Sequence, residues 1–388
     1  MVCNIEDLNG IDALNVLSKQ LSEKKIGGSG NVSNKELNFF CQRYKCKEGQ
    51  LGAFIVKSGN TILGIIPYRK RKKSFPVKVG STPIYSSCQD VIQILLPNVI
   101  ECEFYINSLN FLLHYLATME KGYPIYALEI DQEGHLWRSI QDVGKQYYFV
   151  ANTTSKTHMF HQFGDTFDAA ITSFSKNRKK DLIKAEKKFM DKFGTSALLM
   201  EYKAKDHVKH FLAAAEAINR KTYQARLLNE TIDSGAEATQ AFEASAEAGF
   251  LRSFVLWVED IPIAFVEGYQ TPSGVYEAER TGYDPAYSEY RPGVNCHIQL
   301  IRRLYQDNKP IILDFGVGDG GLKRLFSNRE RQSVSPILLP KNTKGASIFV
   351  ILEMSRRLNT VFILLLERFG LKNRIKKIFI KVAGAKKG

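Results

Sequence analysis

Two carboxylates and several glycines follow one apolar stretch near the end of the chain. Residues 311–315 read as a buried strand, which ends in Asp314 and Phe315, and a glycine-rich segment with Asp319 comes next. The ends of such strands are where α/β sheets place their chemistry. The sequence therefore predicts that Asp314 and Asp319 lie beside flexible backbone at a functional site.

A second acidic pair lies on the preceding predicted strand, Val275–Thr281. Its side chains should alternate, which puts Glu277 and Glu279 on one face and Ala278 and Arg280 on the other. Either face could border a cleft. Carboxylates here are candidates for the base in a proton-transfer reaction.

Between these strands, Pro292 and Gly293 mark the start of a predicted helix that continues to about Gln306. The first N–H groups of a helix have no partner inside it, and the helix dipole is positive at that end. A phosphate group can bind there. The strand, loop, helix and strand together form a unit that could hold a nucleotide-like cofactor.

These residues also resemble a known family. The segments GYDPAY, RPG and DFGVGDGGLKRLF, with the basic segment SKNRKKDLIKAEKKF upstream, are similar to acetyltransferases that resemble a bacterial cellulose-biosynthesis protein. That group is a branch of the GNAT N-acyltransferase superfamily and is related to the FemABX peptidyltransferases. The resemblance covers about residues 49–325. One departure concerns the pyrophosphate loop, Gln/Arg-x-x-Gly-x-Gly/Ala in an ordinary GNAT protein, because only Arg291-Pro292-Gly293 stands in its place.

The resemblance implies roles for individual residues. Asp319 would be the base or would orient the amine, and Lys323 would be its charge partner or would stabilise the oxyanion. The implied catalytic set is Glu279, Asp314, Asp319 and Lys323; the implied cofactor-binding set is Arg291, Pro292, Gly293 and Val294; the implied substrate or anion-binding set is Arg178, Arg280 and Tyr283. A purely structural alternative is that Asp319 caps a helix that begins near Gly320 and pairs with Lys323.

The basic segment around Arg178 has two interpretations. Apolar residues recur at helical spacing from Leu182 to Phe193, so a helix with one buried face and one cationic face is predicted. The cations form either a solvated surface or an anion site, and the resemblance favours Arg178 as the contact.

An internal repeat indicates two domains. The predicted hairpin of residues 52–69 and that of residues 251–270 have the same spacing, with Phe54 matching Phe254 and Gly64 matching Ala264. We therefore predict an α/β (α+β) fold of tandem GNAT-like domains, each with a mixed central sheet flanked by helices, plus a C-terminal amphipathic helix. The predicted parts are 1–160, 161–340 and a tail, 341–388.

Composition limits the partners. The chain has 388 residues and a formal net charge of +14, which favours an anionic partner such as CoA, nucleic acid or a membrane surface. The 6 cysteines are scattered without a Cys-x-x-Cys pair, so neither a zinc site nor a disulfide framework is indicated. A glycine-rich loop, residues 27–30, lacks the Lys and Ser/Thr of a P-loop and is interpreted as a connector.

The tail combines an amphipathic helix with a basic extension. From Ser347 to Phe369 one face is apolar, with Ile348, Ile351, Leu352, Leu358, Phe362, Leu365, Leu366 and Phe369. Lysines and arginines from Lys372 to Lys387 follow. Such a segment could contact an anionic membrane, a partner or its own domain. With neither a signal-peptide pattern nor a spanning apolar run, the expected location is the cytoplasm, including the inner face of the cytoplasmic membrane.

Together these observations predict an enzyme, a GNAT-type N-acetyltransferase that uses acetyl-CoA as co-substrate and no metal. By resemblance the acceptor is an amino sugar or polysaccharide precursor in bacterial exopolysaccharide or envelope synthesis. Two alternatives stay open. One is a FemABX-like transferase that uses aminoacyl-tRNA, the only case in which nucleic acid is expected; the other is a non-catalytic GNAT scaffold that binds a regulatory nucleotide.

Overall fold

The computed structural model describes residues 3–10, 14, 38–39, 41–43, 49–59, 61–79, 82–95, 103–118, 122–222, 232 and 234–368. The strands are β1 Cys3–Asn9, β2 Gln50–Ser58, β3 Thr61–Val79, β4 Thr82–Ile94, β5 Ile125–Ala127, β6 Ile130–Asp131, β7 Tyr148–Ala151, β8 Lys156–Gln162, β9 Ala197–Tyr202, β10 Ser253–Val258, β11 Ile261–Gln270, β12 Val275–Tyr283, β13 Ile312–Val317, β14 Arg329–Val334 and β15 Ile337–Pro340. The helices are α1 Glu103–Thr118, α2 His135–Ser139, α3 Phe167–Ser173, α4 Lys176–Phe193, α5 Val208–Asn219, α6 Ala236–Glu247, α7 Pro292–Gln306, α8 Gly321–Phe326 and α9 Thr343–Arg368.

The chain forms two compact units. Unit 1 contains residues 1–32, 48–155 and 334–388, and unit 2 contains residues 33–47 and 156–333. The first boundary lies close to the predicted position near residue 160. The predicted separate tail is wrong as far as residue 368, because α9 packs on β3, β7 and β15 of unit 1.

The two units repeat one sheet topology. The strand order of unit 1 is β1-β2-β3-β4-β5-β15-β7, and unit 2 contributes β9-β10-β11-β12-β13-β8-β14 in the corresponding places. In each sheet one neighbouring pair is parallel, β4 with β5 and β12 with β13, and the other pairs are antiparallel. Each sheet is therefore mixed, and the predicted fold of two such sheets flanked by helices is confirmed.

The repeat predicted from the two hairpins holds at the level of single residues. Phe54 pairs with Ile66 and Val56 with Gly64, and each pairing recurs 200 positions later. Both hairpins also shift register just after these pairs, at Val56/Lys57 and at Leu256/Trp257. The shared β-bulge shows that the similarity of the two hairpins extends to an irregularity that alternation alone does not require.

Helices α4 and α7 pack together on the sheet of unit 2. The side chain of Ser175 caps α4 by accepting a hydrogen bond from the N–H of Arg178, and Leu182 and Phe189 are buried beneath the helix. Cationic residues such as Lys180, Lys184 and Lys187 are exposed on its other side, as predicted, whereas Arg178 is on the packed side. The core of this unit includes Phe254, Tyr276 and the buried face of α7.

Two predicted features fall outside the described residues: the loop at 27–30 and the basic extension after residue 368. Among the helices of the described ranges, none has the length and apolar character that crossing a membrane requires.

Candidate functional site

A pocket opens in unit 2 where two parallel strands separate. β12 and β13 pair only from Val275 to Glu277, opposite Ile312 to Asp314, and the residues that follow are not paired with each other. The pocket has a volume of about 370 Å³. Its lining is Asn219, Phe265, Ala278, Glu279, Arg280, Thr281, His297, Phe315, Gly320, Gly321, Leu322 and Lys323.

A β-bulge brings consecutive residues of β12 to this pocket. Arg280 pairs with Glu267 and Ala278 with Gly268, so Glu279 is an extra residue without a counterpart on β11. The predicted strict alternation is therefore wrong here, since Ala278, Glu279 and Arg280 all line the pocket.

Gly268 is needed at the bulge because a Cβ atom there would lie 1.9 Å from the hydroxyl oxygen of Tyr276.

Charges of both signs border the pocket. Glu279 forms an ion pair with Arg43, and its side chain is 35% exposed. Arg280 pairs with the buried carboxylate of Glu267, which also accepts a hydrogen bond from the hydroxyl of Tyr269 at 3.1 Å. The structure thus places two of the predicted polar residues, Glu279 and Arg280, at the pocket and holds each with a partner.

Asp314 is buried and does not line the pocket. Its Oδ1 lies 2.6 Å from Nε2 of His158 and accepts a hydrogen bond from the N–H of Gly316 at 2.6 Å. Gly316 and Gly318 have φ angles of 70° and 110°, values that favour glycine. Asp314 therefore fixes the backbone turn that leads to the pocket-lining residues of α8, and it acts on the site through that turn.

The structural alternative is not supported for Asp319 as a cap. Asp319 pairs with Arg324, and the N-cap position of α8 is held by Gly320, without a side-chain hydrogen bond. Lys323 lines the pocket, and its Nζ donates a hydrogen bond to the carbonyl oxygen of Val317 at 2.7 Å. Asp319 is exposed and is not among the residues that line the pocket. Its predicted role as base stays a prediction.

The start of α7 has an unusual geometry. Arg291 precedes the helix with φ of 53°, and its carbonyl oxygen accepts hydrogen bonds from the N–H groups of Val294 and Asn295. Pro292 has no N–H. The first-turn amide that stays available for a ligand is therefore that of Gly293.

Two of the predicted binding residues lie close to this amide. A Cβ atom on Gly293 would be 3.4 Å from the ring of Tyr283. The guanidinium group of Arg291 binds both carboxylate oxygens of Asp181 on α4, at 2.6 and 2.9 Å. The hydrogen bond from Arg291 lowers the pKa of Asp181; burial opposes this shift, and the charges of Arg291 and Lys184 support it.

The side chain of Arg178 binds backbone carbonyl oxygens in this structure. It donates hydrogen bonds to the carbonyl oxygens of Ser327 at 2.9 Å and of Arg324 at 2.6 Å, and its guanidinium carbon lies 4.5 Å from the centre of the Phe174 ring. These carbonyls belong to the end of α8, where a cation is favourable. Contact of Arg178 with an anion stays a prediction.

His297 is a pocket residue that the sequence analysis did not single out. Its ring is 1% exposed, and burial lowers its pKa to about 4. The neighbouring Cys296 is buried in the core, which raises the pKa of its thiol to about 12. Cys296 and His297 are adjacent on the helix and so do not face each other, which argues against a Cys/His nucleophile pair. One signal in the sequence could have indicated His297. It follows Gly293 by one helical turn, so the two residues share a face of α7.

The lowered pKa predicts a dependence of stability on pH. An unfolded histidine has a pKa near 6.5, so between about pH 6.5 and 4 the unfolded chain binds a proton that folded His297 does not. Stability contributed by the neutral ring is present above this window and decreases as the pH falls through it. From about pH 7 to 4.5, wild-type unit 2 should lose about 2 kcal/mol more than the variant His297→Phe.

Chemical denaturation at several pH values, followed by the fluorescence of Trp257, would measure this difference. Equal pH dependence in both proteins would contradict it. Glu279, Arg280 and Lys323, the charged groups of the pocket, are present in both proteins and cancel in the comparison.

In the part of the chain that the structure describes, no group of three or more His, Cys, Asp or Glu residues is arranged to hold a metal ion.

Comparisons with known proteins place this site in a family domain. Residues 176–324 match the model of the acetyltransferase (GNAT) domain. That range includes α4, α7, the bulged strand β12 and the whole lining of the pocket. A comparison of the sequence with curated proteins gives no match.

Solved structures with the same fold cover both units. FemX aligns with a TM-score of 0.55 and 11% identity, over 85% of this chain and 96% of its own. A conserved protein of unknown function from Bacteroides thetaiotaomicron aligns with a TM-score of 0.54 and 11% identity, over 87% of this chain and 100% of its own. The C-terminal DUF2156 domain of a protein described as a lysylphosphatidylglycerol synthetase from Agrobacterium fabrum gives 0.51 and 10%, over 88% and 96%. At these identities the comparison shows the fold, two GNAT-like domains in tandem.

Proposed function

We propose that unit 2 transfers an acyl group, acetyl in the simplest case, from acyl-CoA to an amine bound in the pocket. The observation that carries this proposal is the placement of the pocket. It opens where β12 and β13 separate, and Leu322 of its lining lies close to Gly293 at the start of α7. A thioester carbonyl in the pocket and a phosphate on the helix start are compatible with this arrangement.

The start of α7 can bind the pyrophosphate of CoA, although it offers fewer contacts than the pyrophosphate loop of an ordinary GNAT protein. Gly293 offers one N–H, the helix dipole adds a positive potential, and Arg291 supplies a guanidinium group that binds oxyanions with two hydrogen bonds. Arg291 now holds Asp181 in that manner. A pyrophosphate would therefore compete with Asp181 for Arg291, and Pro292 and Val294 would shape the turn.

Glu279 is the carboxylate best placed to accept a proton from the amine, because it lines the pocket and is partly exposed. In the reaction the amine nitrogen bonds to the carbonyl carbon, the carbon–sulfur bond breaks, and the amine loses one proton to Glu279. That proton then reaches the departing thiolate through solvent. Lys323, which also lines the pocket, supplies a positive charge for the oxyanion.

The acceptor we propose is an amino sugar or a polysaccharide precursor of the bacterial envelope. Support comes from the resemblance of the pocket-forming segments to acetyltransferases of that kind and from the charged side chains of Glu279, Arg280 and Lys323 in the pocket lining. The similarity to the FemX fold supports the aminoacyl-tRNA alternative equally. A regulatory nucleotide at the start of α7 is the non-catalytic alternative.

A transfer assay separates these possibilities. The protein is incubated with one donor, either acetyl-CoA or aminoacyl-tRNA, and, in turn, glucosamine, an envelope amino-sugar nucleotide or lysine, and products are identified by mass spectrometry. Acetylation of an amine that requires acetyl-CoA supports the proposal. If aminoacyl-tRNA is the only donor used, the alternative replaces it, and if folded protein uses neither donor, the scaffold interpretation is left.

For location we propose contact with an anionic membrane surface through α9. In this helix Ile348 and Ser355 are buried against unit 1, whereas large apolar side chains are exposed on another face. That exposed stripe consists of Val350, Met354, Leu358, Val361, Leu364 and Leu365. Leu358 and Leu365 of the predicted apolar face belong to this exposed stripe. The sequence after the helix adds lysines and arginines and no acidic residue.

A single charge in the stripe should weaken membrane binding. Met354 is 58% exposed, so Met354→Glu should not disturb the packing of unit 1, yet it places a carboxylate where the lipid would lie. Co-sedimentation with phosphatidylglycerol vesicles should fall by about tenfold or more. Thr360→Glu adds the same charge on the polar face and should change binding by less than about threefold. Equal effects of both variants, or no binding of the wild type, would contradict the proposal.

A further inference from the structure

His297 lines the pocket and has an unused hydrogen-bond acceptor. Its Nδ1 lies 2.8 Å from the carbonyl oxygen of Gly293. A carbonyl only accepts hydrogen bonds, so Nδ1 carries the hydrogen and Nε2 carries a lone pair. Nε2 is buried and has no partner among the residues that the structure describes, although His297 lines the pocket.

The ring is held in place by aromatic neighbours. It stacks on Phe326 with 5.6 Å between ring centres and 25° between ring planes, and it lies 6.2 Å from the ring of Phe315 at 35°. The hydrogen bond from Nδ1 to the carbonyl oxygen of Gly293 also restricts rotation of the ring. A buried polar atom in such a rigid setting is normally satisfied by a partner. His297 is one of the residues that line the pocket, so a molecule bound there that reaches Nε2 can supply that partner.

We propose that Nε2 of His297 accepts a hydrogen bond from the acceptor and thereby selects primary amines. This inference rests on the proposed acyl transfer. A neutral primary amine has two N–H groups and one lone pair. If Glu279 accepts a hydrogen bond from one N–H group and His297 accepts one from the other, the lone pair is left to attack the acyl carbon. A neutral N-methylated amine has one N–H group and cannot donate to both residues.

The charges around the pocket indicate different roles for Glu279 and His297. The charged groups that line it are Glu279, Arg280 and Lys323, and the first two are paired with Arg43 and Glu267. His297 has a lowered pKa, because it is buried, and is neutral at neutral pH. It therefore acts as an acceptor that orients the amine, and the proton itself goes to the carboxylate of Glu279.

The first test needs no knowledge of the natural acceptor. Protein labelled with ¹⁵N-histidine is studied by NMR, with His297→Phe used to assign the ring signals. Nε2 should be unprotonated from about pH 5.5 to 8.5, and its signal should move saturably when methylamine or glucosamine is added. A protonated Nε2, or a signal that neither amine moves, would overturn the inference.

Two variants then test whether Nε2 of His297 acts as a hydrogen-bond acceptor for the amine. His297→Gln keeps a hydrogen-bond acceptor near the position of Nε2, whereas His297→Phe keeps the stacking and removes the acceptor. We expect the affinity for methylamine to fall by about tenfold or more in the Phe variant and by less than about threefold in the Gln variant. Trimethylamine, whose protonated form has one N–H group where that of methylamine has three, should bind wild-type protein about tenfold more weakly than methylamine, and the Phe variant should lose this preference.

The outcomes also separate this inference from the proposed function. If both variants bind amines as the wild type does, while acetyl-CoA still binds and is used, His297 has no such role and acyl transfer stands. If acetyl-CoA neither binds nor reacts, the proposed function fails, and the inference that rests on it fails too, whatever the histidine signals show.

Discussion

Replacement of Asp314 by alanine is expected to lower the free energy of unfolding of unit 2 by about 3 kcal/mol, because two hydrogen bonds to a buried carboxylate are lost together. Nε2 of His158 and the N–H of Gly316 both lose their partner. The turn from Gly316 to Gly318 would no longer be fixed, so Lys323 would lose its place at the pocket, and acyl transfer should fall as well.

Fluorescence can assign this loss to unit 2. The chain has 2 tryptophans, Trp137 in unit 1 and Trp257 in unit 2, so denaturation in a Trp137→Phe background reports on unit 2 alone. The matched control is Asp319→Ala, which removes an exposed carboxylate paired with Arg324 and should cost less than about 0.5 kcal/mol. Equal stability of the Asp314 and Asp319 variants would show that the buried hydrogen bonds do not have the importance we assign to them.

Replacement of Glu279 by glutamine should reduce kcat for acyl transfer by about 100-fold or more, because the amide cannot take the proton of the amine. The change keeps the shape of the side chain and its place on the bulge. Acetyl-CoA affinity should therefore stay within about twofold of the wild type. Single-turnover kinetics with saturating acetyl-CoA would measure the chemical step directly.

Glu277→Gln is the matched control for this variant. Glu277 lies two residues earlier on the same strand, in the part of β12 that pairs with β13, and it is not among the pocket residues. Its replacement should change kcat by less than about threefold. If both variants reduce kcat equally, the loss comes from the strand and Glu279 is not the base.

Local patterns in the sequence predicted a large part of the fold. Alternation and turn residues identified the two hairpins, and the match of Phe54 with Phe254 showed the repeat. The sequence did not indicate which strands complete each sheet. β8 completes the sheet of unit 2 and β15 completes that of unit 1, although β15 comes later in the chain. Four apolar residues, Ile337–Pro340, do not indicate which of two similar sheets they join.

The site was predicted in its location and only partly in its details. Glu279, Arg280 and Lys323 do line one pocket, but the bulge that turns Glu279 depends on the packing of Gly268 against Tyr276, which no periodicity encodes. His297 was missed for a similar reason. A histidine among apolar residues of a helix is usually a core residue, and only the pocket distinguishes it.

The central claim is that acyl-CoA binds at the start of α7, and calorimetric titration with acetyl-CoA and with free CoA tests it most directly. We expect micromolar affinity that Arg291→Ala weakens by about tenfold. The control is Arg302→Ala, because Arg302 also pairs α7 with α4, through Glu186, yet lies far from the helix start. It should leave the affinity within about twofold of the wild type. No binding by folded protein, or equal weakening in both variants, would contradict the account.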